Sequence, residues 1–331
     1  TTTNAATTVG SIALTGAGSN ITITNANGNS GGGVSLTVTG NTSIVGALTA
    51  TNSMASANGV MFGTFGGTTA VGGVTTITSV NRAGSTTTMT FTGNSEHTGA
   101  VTLTGSANGL ATANFNGAVV TFTAGLSLAG GTTTAIANFT PTAAQTVTGV
   151  IDSSDSTDRG VINVLSSNLT TFASNIGGTN NILALNVGAT GAAGNAKFSG
   201  TVDAATITVF TQLDSNVAAA DFDGNVVGNV VLTGGNGSGE NATASFAGNV
   251  TGNITMTPNS GTGTAATFDG TTAQTITGNV VAGADGKGVL KITNTGGVVT
   301  FNDDVGVAGT GIEEIHIASG ATMTQKALLT G

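Results

Sequence analysis

Phenylalanine recurs at a fixed interval in this chain. Phe91, Phe115 and Phe139 are evenly spaced at about 24 residues, Phe198, Phe222 and Phe246 repeat that spacing, and Phe268 follows slightly sooner. Most of these rings open a short phrase with glycine two positions later, as in Phe115-Asn116-Gly117, Phe198-Ser199-Gly200, Phe222-Asp223-Gly224 and Phe246-Ala247-Gly248. Around them, apolar residues alternate with polar ones in runs of four to six: Ile21-Thr22-Ile23-Thr24, Val34-Ser35-Leu36-Thr37-Val38, Val101-Thr102-Leu103-Thr104 and Ile312 to Ile317. Period-two runs ended by Gly and Asn are short strands closed by turns. One large apolar side chain per repeat then describes a coil that returns each time to the same azimuth.

A longer repeat lies above the short one. Phe139-Thr140-Pro141-Thr142-Ala143-Ala144-Gln145-Thr146-Val147-Thr148-Gly149 matches Phe268-Asp269-Gly270-Thr271-Thr272-Ala273-Gln274-Thr275-Ile276-Thr277-Gly278 at one constant offset, Phe139 onto Phe268 and Gly149 onto Gly278. The next phenylalanine, Phe172 or Phe301, comes at the same distance in both copies, after Gly160-Val161-Ile162 or Gly288-Val289-Leu290. The expected fold is therefore all-β, a parallel β-solenoid (β-helix). Dividing 331 residues by the period gives about 14 coils stacked at about 4.8 Å. Phe91, Phe115, Phe139, Phe198, Phe222, Phe246 and Phe268 are its expected core column. Tandem β-sandwich domains are the alternative, since they too space their strands at about 8–12 residues, but they have no reason to keep one fixed longer period. Residues 1–90 repeat less clearly and read as a less regular N-terminal β region: a cap, the first coils or an inter-subunit segment. Residues 91–331 form the repeat solenoid.

Composition narrows function by exclusion. Six Lys and Arg against 15 Asp and Glu leave a net charge of -9, and so few cations build no footprint for nucleic acid. There is no Cys, which removes disulfides, thiolate zinc sites and cysteine nucleophiles. Gly and Thr, at 54 and 65 residues, supply roughly a third of the chain. With 38% hydrophobic residues the chain lies outside the disordered class, and no apolar run reaches the length of a transmembrane segment. The opening Thr1-Thr2-Thr3-Asn4-Ala5-Ala6 carries neither the basic nor the apolar region of a leader, as expected of a mature secreted chain or a piece of a longer protein.

Candidate chemistry is sparse. Asp152, Asp155 and Asp158 fall within seven residues and are the expected site if the chain holds Ca²⁺, through hard oxygen ligands in a loop. Asp303-Asp304 and Asp221-Phe222-Asp223 are smaller acidic groups, and Gly234-Gly235-Asn236-Gly237-Ser238-Gly239-Glu240 resembles a single Ca²⁺-binding nonapeptide without the tandem copies such sites need. His97 follows Glu96, and His316 follows Glu313 and Glu314, but neither histidine has a nucleophile in a recognisable motif. Arg82, Arg159, Lys197, Lys287, Lys291 and Lys326 read as dispersed, so the expectation is no enzyme and no other cofactor. Thr-x-Thr pairs such as Thr22/Thr24, Thr76/Thr78 and Thr102/Thr104 put an apolar residue inward and two hydroxyls outward, and flat arrays of that kind can order water, which makes ice binding a rival function. Their unequal intervals argue against one array. Asn-x-Thr sequons, such as those at Asn20, Asn168, Asn249 and Asn253, carry little weight in such a composition.

The phrases Gly297-Val298-Val299-Thr300-Phe301-Asn302-Asp303-Asp304-Val305-Gly306 and Ile315-His316-Ile317-Ala318-Ser319-Gly320-Ala321-Thr322, with Phe172-Ala173-Ser174-Asn175-Ile176-Gly177, resemble repeats in the passenger regions of bacterial autotransporters, those of the rickettsial outer-membrane protein B kind and related alphaproteobacterial surface proteins. The likeness covers roughly residues 90–331. It implies a secreted β-helical passenger at the bacterial cell surface, extracellular, acting as surface-layer material or as an adhesin. The translocating barrel of such proteins has no counterpart in these residues, so a processed piece or a freestanding secreted subunit is expected. The expected partners are copies of the chain itself, joined into a filament or lattice through solenoid edges. Host or glycan surfaces are the alternative, and nucleic acid and membrane spans are not expected.

Overall fold

The computed structural model describes residues 5–16, 18–25, 33–54, 59–131, 134–211, 217–235, 241–258 and 263–326. Among them every regular element is a strand and every inter-strand ladder is parallel, as a β-solenoid of about 12 turns with a period near 25 residues. The early coils are longer than the later ones. Val9 pairs with Val38 and Val38 with Phe65, whereas Phe91 pairs with Phe115. Contacts divide the chain into two compact units, residues 1–163 with 177–183, and residues 164–176 with 184–331. Phe91 lies inside the first unit, where Ser85–Phe91 pairs back onto Val60–Phe65 and that strand onto Gly33–Val38.

In the first unit each coil has three sides. Taking one coil as an example, Ser85–Phe91 forms the first side, Ser95–His97 the second and Val101–Thr104 the third, each in ladder with its equivalent one coil on. Strict alternation of buried and outward residues along Ser85–Phe91 sends Ser85, Thr87, Met89 and Phe91 inward. Phe65, Phe91, Phe115 and Phe139 occupy one register position on successive coils, with stacked ring centroids 5.4 to 5.5 Å apart and interplanar angles no larger than 22°. Stacking at nearly the inter-strand spacing is what parallel in-register ladders impose on identical side chains.

The second unit has its own column. Phe172, Phe198, Phe222, Phe246 and Phe268 pair in register, their rings 4.9 to 5.3 Å apart. Phe301 ends the series by meeting Phe268 edge-on at 5.4 Å. All seven phenylalanines expected in the core are buried, and Phe65, Phe172 and Phe301 join them. One column therefore belongs to each unit, rather than a single spine.

Corners are set by side chains that reach one coil onward. Asn229 Oδ1 accepts the amide of Asn253, Asn253 Oδ1 that of Asn279, and Asn279 Oδ1 that of Asp304. These three corner amides thus find acceptors outside the strand ladders.

Candidate functional site

The densest set of reactive side chains lies on the outer face of the phenylalanine strands in the second unit. Lys197, Asp221, Ser245 and Thr267 succeed one another in register, one per coil, because each occupies the position before the inward phenylalanine. Lys197 Nζ donates to Asp221 Oδ2 at 2.9 Å and to Asp223 Oδ1 at 2.8 Å, and Ser245 Oγ donates to Asp221 Oδ1 at 3.0 Å. The hydrogen bond to Asp223, then that to Asp221, holds the ammonium above its usual pKa. Asp269 is pushed the other way for a carboxylate, upward, first by burial and then by the charge of Asp221. Beside this cluster runs a groove of about 280 Å³ lined by Asn195, Lys197, Ala219, Asp221, Thr243 and Thr267, among others. Leu169, Ala196, Ala219, Ala220 and Ala244 make most of its lining apolar, and Lys197, Asp221, Ser245 and Thr267 set hydrogen-bonding groups among them. Both carboxylates nearest the lysine are engaged by it.

The structure corrects the reading of Lys197 as one of several dispersed cations. Asp221 stands one coil further along the chain, at the phenylalanine interval, and the ladder carries the two to adjacent positions. The interval is legible in the sequence, but only once the period is applied to polar residues as well as to phenylalanine.

The three carboxylates expected to bind Ca²⁺ do not converge. Asp152 accepts the amides of Thr179, at 3.2 Å, and Asn180, at 3.1 Å, on the following coil. Asp155 turns to Thr157 and to Arg159 Nε at 3.0 Å, and the Thr157 hydroxyl is the first cause of its lowered pKa. Asp158 accepts from the Asn181 amide. Arg159 in turn donates to the Gly130 carbonyl one coil back. These residues stitch coils together, and among the described residues no group of three His, Asp or Glu is placed to hold a metal ion. Residues 236–240 of the glycine-rich nonapeptide lie outside the described residues.

The histidines fall in opposite environments. His316 is exposed, 3.9 Å from Glu314. His97 is fully buried, edge-on to Phe91 at 5.1 Å, with Nδ1 2.9 Å from the Thr75 hydroxyl. Burial lowers its pKa to about 4, so the ring is neutral at pH 7. A base sealed among phenyl rings has no access to substrate. Asp303 and Asp304 work in the backbone network, Asp303 Oδ2 accepting the Gly278 amide at 2.7 Å. No helix among the described residues is long and apolar enough to cross a membrane. Comparison with protein-family models, with curated proteins and with solved structures finds no match for this chain.

Proposed function

We propose that this chain is a secreted, non-enzymatic structural component of a bacterial cell surface that self-associates into a filament or surface layer. The observation that carries the reading is the use of its side chains. Rings are spent on two register-locked columns, and Lys197, Asp221 and Asp152 spend their charged groups on contacts with neighbouring coils. A shape maintained by repetition is the useful property of such a molecule. Val45, Val74 and Phe62, each about half exposed, offer apolar contacts for lateral association in the first unit. Negative-stain imaging and sedimentation of the purified chain test this: ordered polymers that grow with concentration are expected, and a strictly monomeric species at high concentration sinks the reading.

The groove beside Lys197 favours a second reading, an adhesin for host or glycan surfaces. Alternating amine, carboxylate and hydroxyl groups along one wall match the hydrogen-bonding inventory of a sugar chain. A glycan array would separate the two: saturable binding that Lys197→Met abolishes supports the adhesin, and an empty array leaves only the scaffold.

A further inference from the structure

The third side of the first unit carries a surface that neither reading uses. Thr22/Thr24, Thr49/Thr51, Thr76/Thr78 and Thr102/Thr104 lie in register on four successive coils, so that Thr22 faces Thr49, Thr49 faces Thr76 and Thr76 faces Thr102, with the second row aligned likewise. The intervals along the chain are unequal, yet the ladder absorbs the difference at the corners and the rows stay straight. That overturns the sequence argument against a single array.

The residues between the hydroxyls, Ile23, Ala50, Ile77 and Leu103, are buried and back the sheet with core packing. Outward, Thr22 and Thr24 are exposed and the other six are partly exposed. The next coil continues the first row with Ser127 and the second with Ala129, and the first charge met along the ladder is Asp152, one coil further.

What the hydroxyls do is the independent observation. Threonines at the corners spend theirs on the preceding coil: Thr92 Oγ1 donates to the Phe65 carbonyl at 3.0 Å and to the Gly66 carbonyl at 2.9 Å, and Thr293 Oγ1 to the Phe268 carbonyl at 3.3 Å. None of the eight array hydroxyls bonds to protein among the described residues. They are left for solvent, on side chains whose β-branching restricts χ1.

We infer that this face binds ice. Successive coils repeat at about 4.8 Å and alternate residues along a strand at about 6.7 Å, which sets hydroxyls and methyls in two aligned rows on a regular grid. Those repeats are close to the spacings between oxygen rows on a prism face of hexagonal ice. Water held between the methyls and bonded to the hydroxyls would be pre-ordered in that pattern, at little further entropic cost when it joins a crystal. A crystal cannot adapt to its ligand, so a grid fixed by backbone register is the form of site it requires. A crystalline polysaccharide is the less favoured occupant, because the face carries no aromatic platform and the chain has neither Trp nor Tyr.

The test is thermal hysteresis and inhibition of ice recrystallisation by the purified chain. Hysteresis above a buffer control is expected, falling at least tenfold in Thr51→Lys/Thr76→Lys and unchanged in Thr146→Lys, an exposed position on a different side. Thermal unfolding of each variant reports folding. Should the lysine pair unfold the chain, Thr76→Ser/Thr102→Ser removes only methyls and is expected to lower hysteresis with an unchanged unfolding midpoint. Absence of hysteresis in the parent, equal loss in Thr146→Lys, or binding to cellulose or chitin particles without any effect on ice overturns the inference.

Discussion

Gln145 and Gln274, equivalent positions of the duplicated phrase, make the same pair of hydrogen bonds inside different units. Gln145 Nε2 donates to the carbonyls of Phe115 and Gly117 at 3.0 and 2.7 Å, and Gln274 Nε2 to those of Phe246 and Gly248 at 2.7 and 3.0 Å. Each side chain is turned inward at the start of a short strand and ties down the Phe-x-Gly corner one coil back. The duplicated phrase is thus a folding instruction repeated whole.

Replacing Gln274 with Leu strands the Gly248 carbonyl and the Gly270 amide, which donates to Gln274 Oε1 at 3.2 Å, while the Phe246 carbonyl keeps the Asp269 amide and the Asn294 amide keeps the Thr272 carbonyl. Unsatisfied buried groups cost about 1–3 kcal/mol apiece, so a loss of about 3 kcal/mol is expected in urea unfolding. Gln145→Leu should cost a similar amount, and a value near zero for either would show that the corner does not depend on it.

Gly160 and Gly288 form a second matched pair. Their φ angles are +78° and +74°, and a Cβ would run into Leu128 Cβ in one case and sit 2.7 Å from Met256 Cβ in the other. Gly286, at φ +64°, has open space at that point. Gly286→Ala should therefore cost only the left-handed backbone penalty, about 1 kcal/mol, whereas Gly288→Ala and Gly160→Ala should cost that plus the clash. Equal thermal shifts for Gly286→Ala and Gly288→Ala would refute the steric part.

The solenoid was legible because, within each unit, phenylalanine marks one register position on successive coils. Phe65 escaped because it precedes Phe91 by slightly more than the regular interval, and the first coils because Val9 and Val38 take the ring's place in the same column. The threonine rows were hidden by the same drift in coil length. Cross-coil polar contacts, such as Lys197 with Asp221 or Asp152 with Asn180, are invisible until a register is known. Where the period is constant the sequence can be laid out as a lattice; where corners take up extra residues, only the ladder restores it.

Phe222 sits between Phe198 and Phe246, with centroids at 4.9 and 5.3 Å. Truncation to Ala removes both stacks and leaves a cavity that parallel ladders on either side prevent from collapsing. A destabilisation of about 3–5 kcal/mol is expected. Phe222→Leu, which keeps most of the volume, should cost less than half as much, and equal losses would mean that volume does not govern the column.

Lys197 is about a third exposed, as are its two partners in larger part, so solvent screens the pairs. Lys197→Met should cost only about 1 kcal/mol or less. Its clearer signature is electrostatic: Lys197 acts to lower the pKa of Asp269, so removing it should move that already raised titration further upward. Carboxyl NMR shifts recorded against pH read this directly, and an unmoved Asp269 would show that the lysine charge does not reach it.

His97 gives the fold a dependence on acid. Its pKa is lowered by burial to about 4, against an unfolded value of about 6.5. The neutral ring is the folded form, with Nδ1 at the Thr75 hydroxyl and Nε2 without a partner among the described residues. Above pH 6.5 neither state binds the proton and the stabilisation is complete. As pH falls from 6.5 to 4 the unfolded chain takes up a proton that the folded one refuses, so stability declines by about 1.4 kcal/mol per pH unit. The loss totals about 3 kcal/mol and levels off below pH 4, where both states are protonated. His97→Leu loses the Thr75 contact and starts from a lower stability, but this slope is removed from its profile. Urea unfolding at half-unit steps from pH 7 to pH 3.5 would measure the difference between the two chains. Parallel profiles would mean that His97 is reached by solvent protons without unfolding, and the sealed second side of that coil would have to be abandoned.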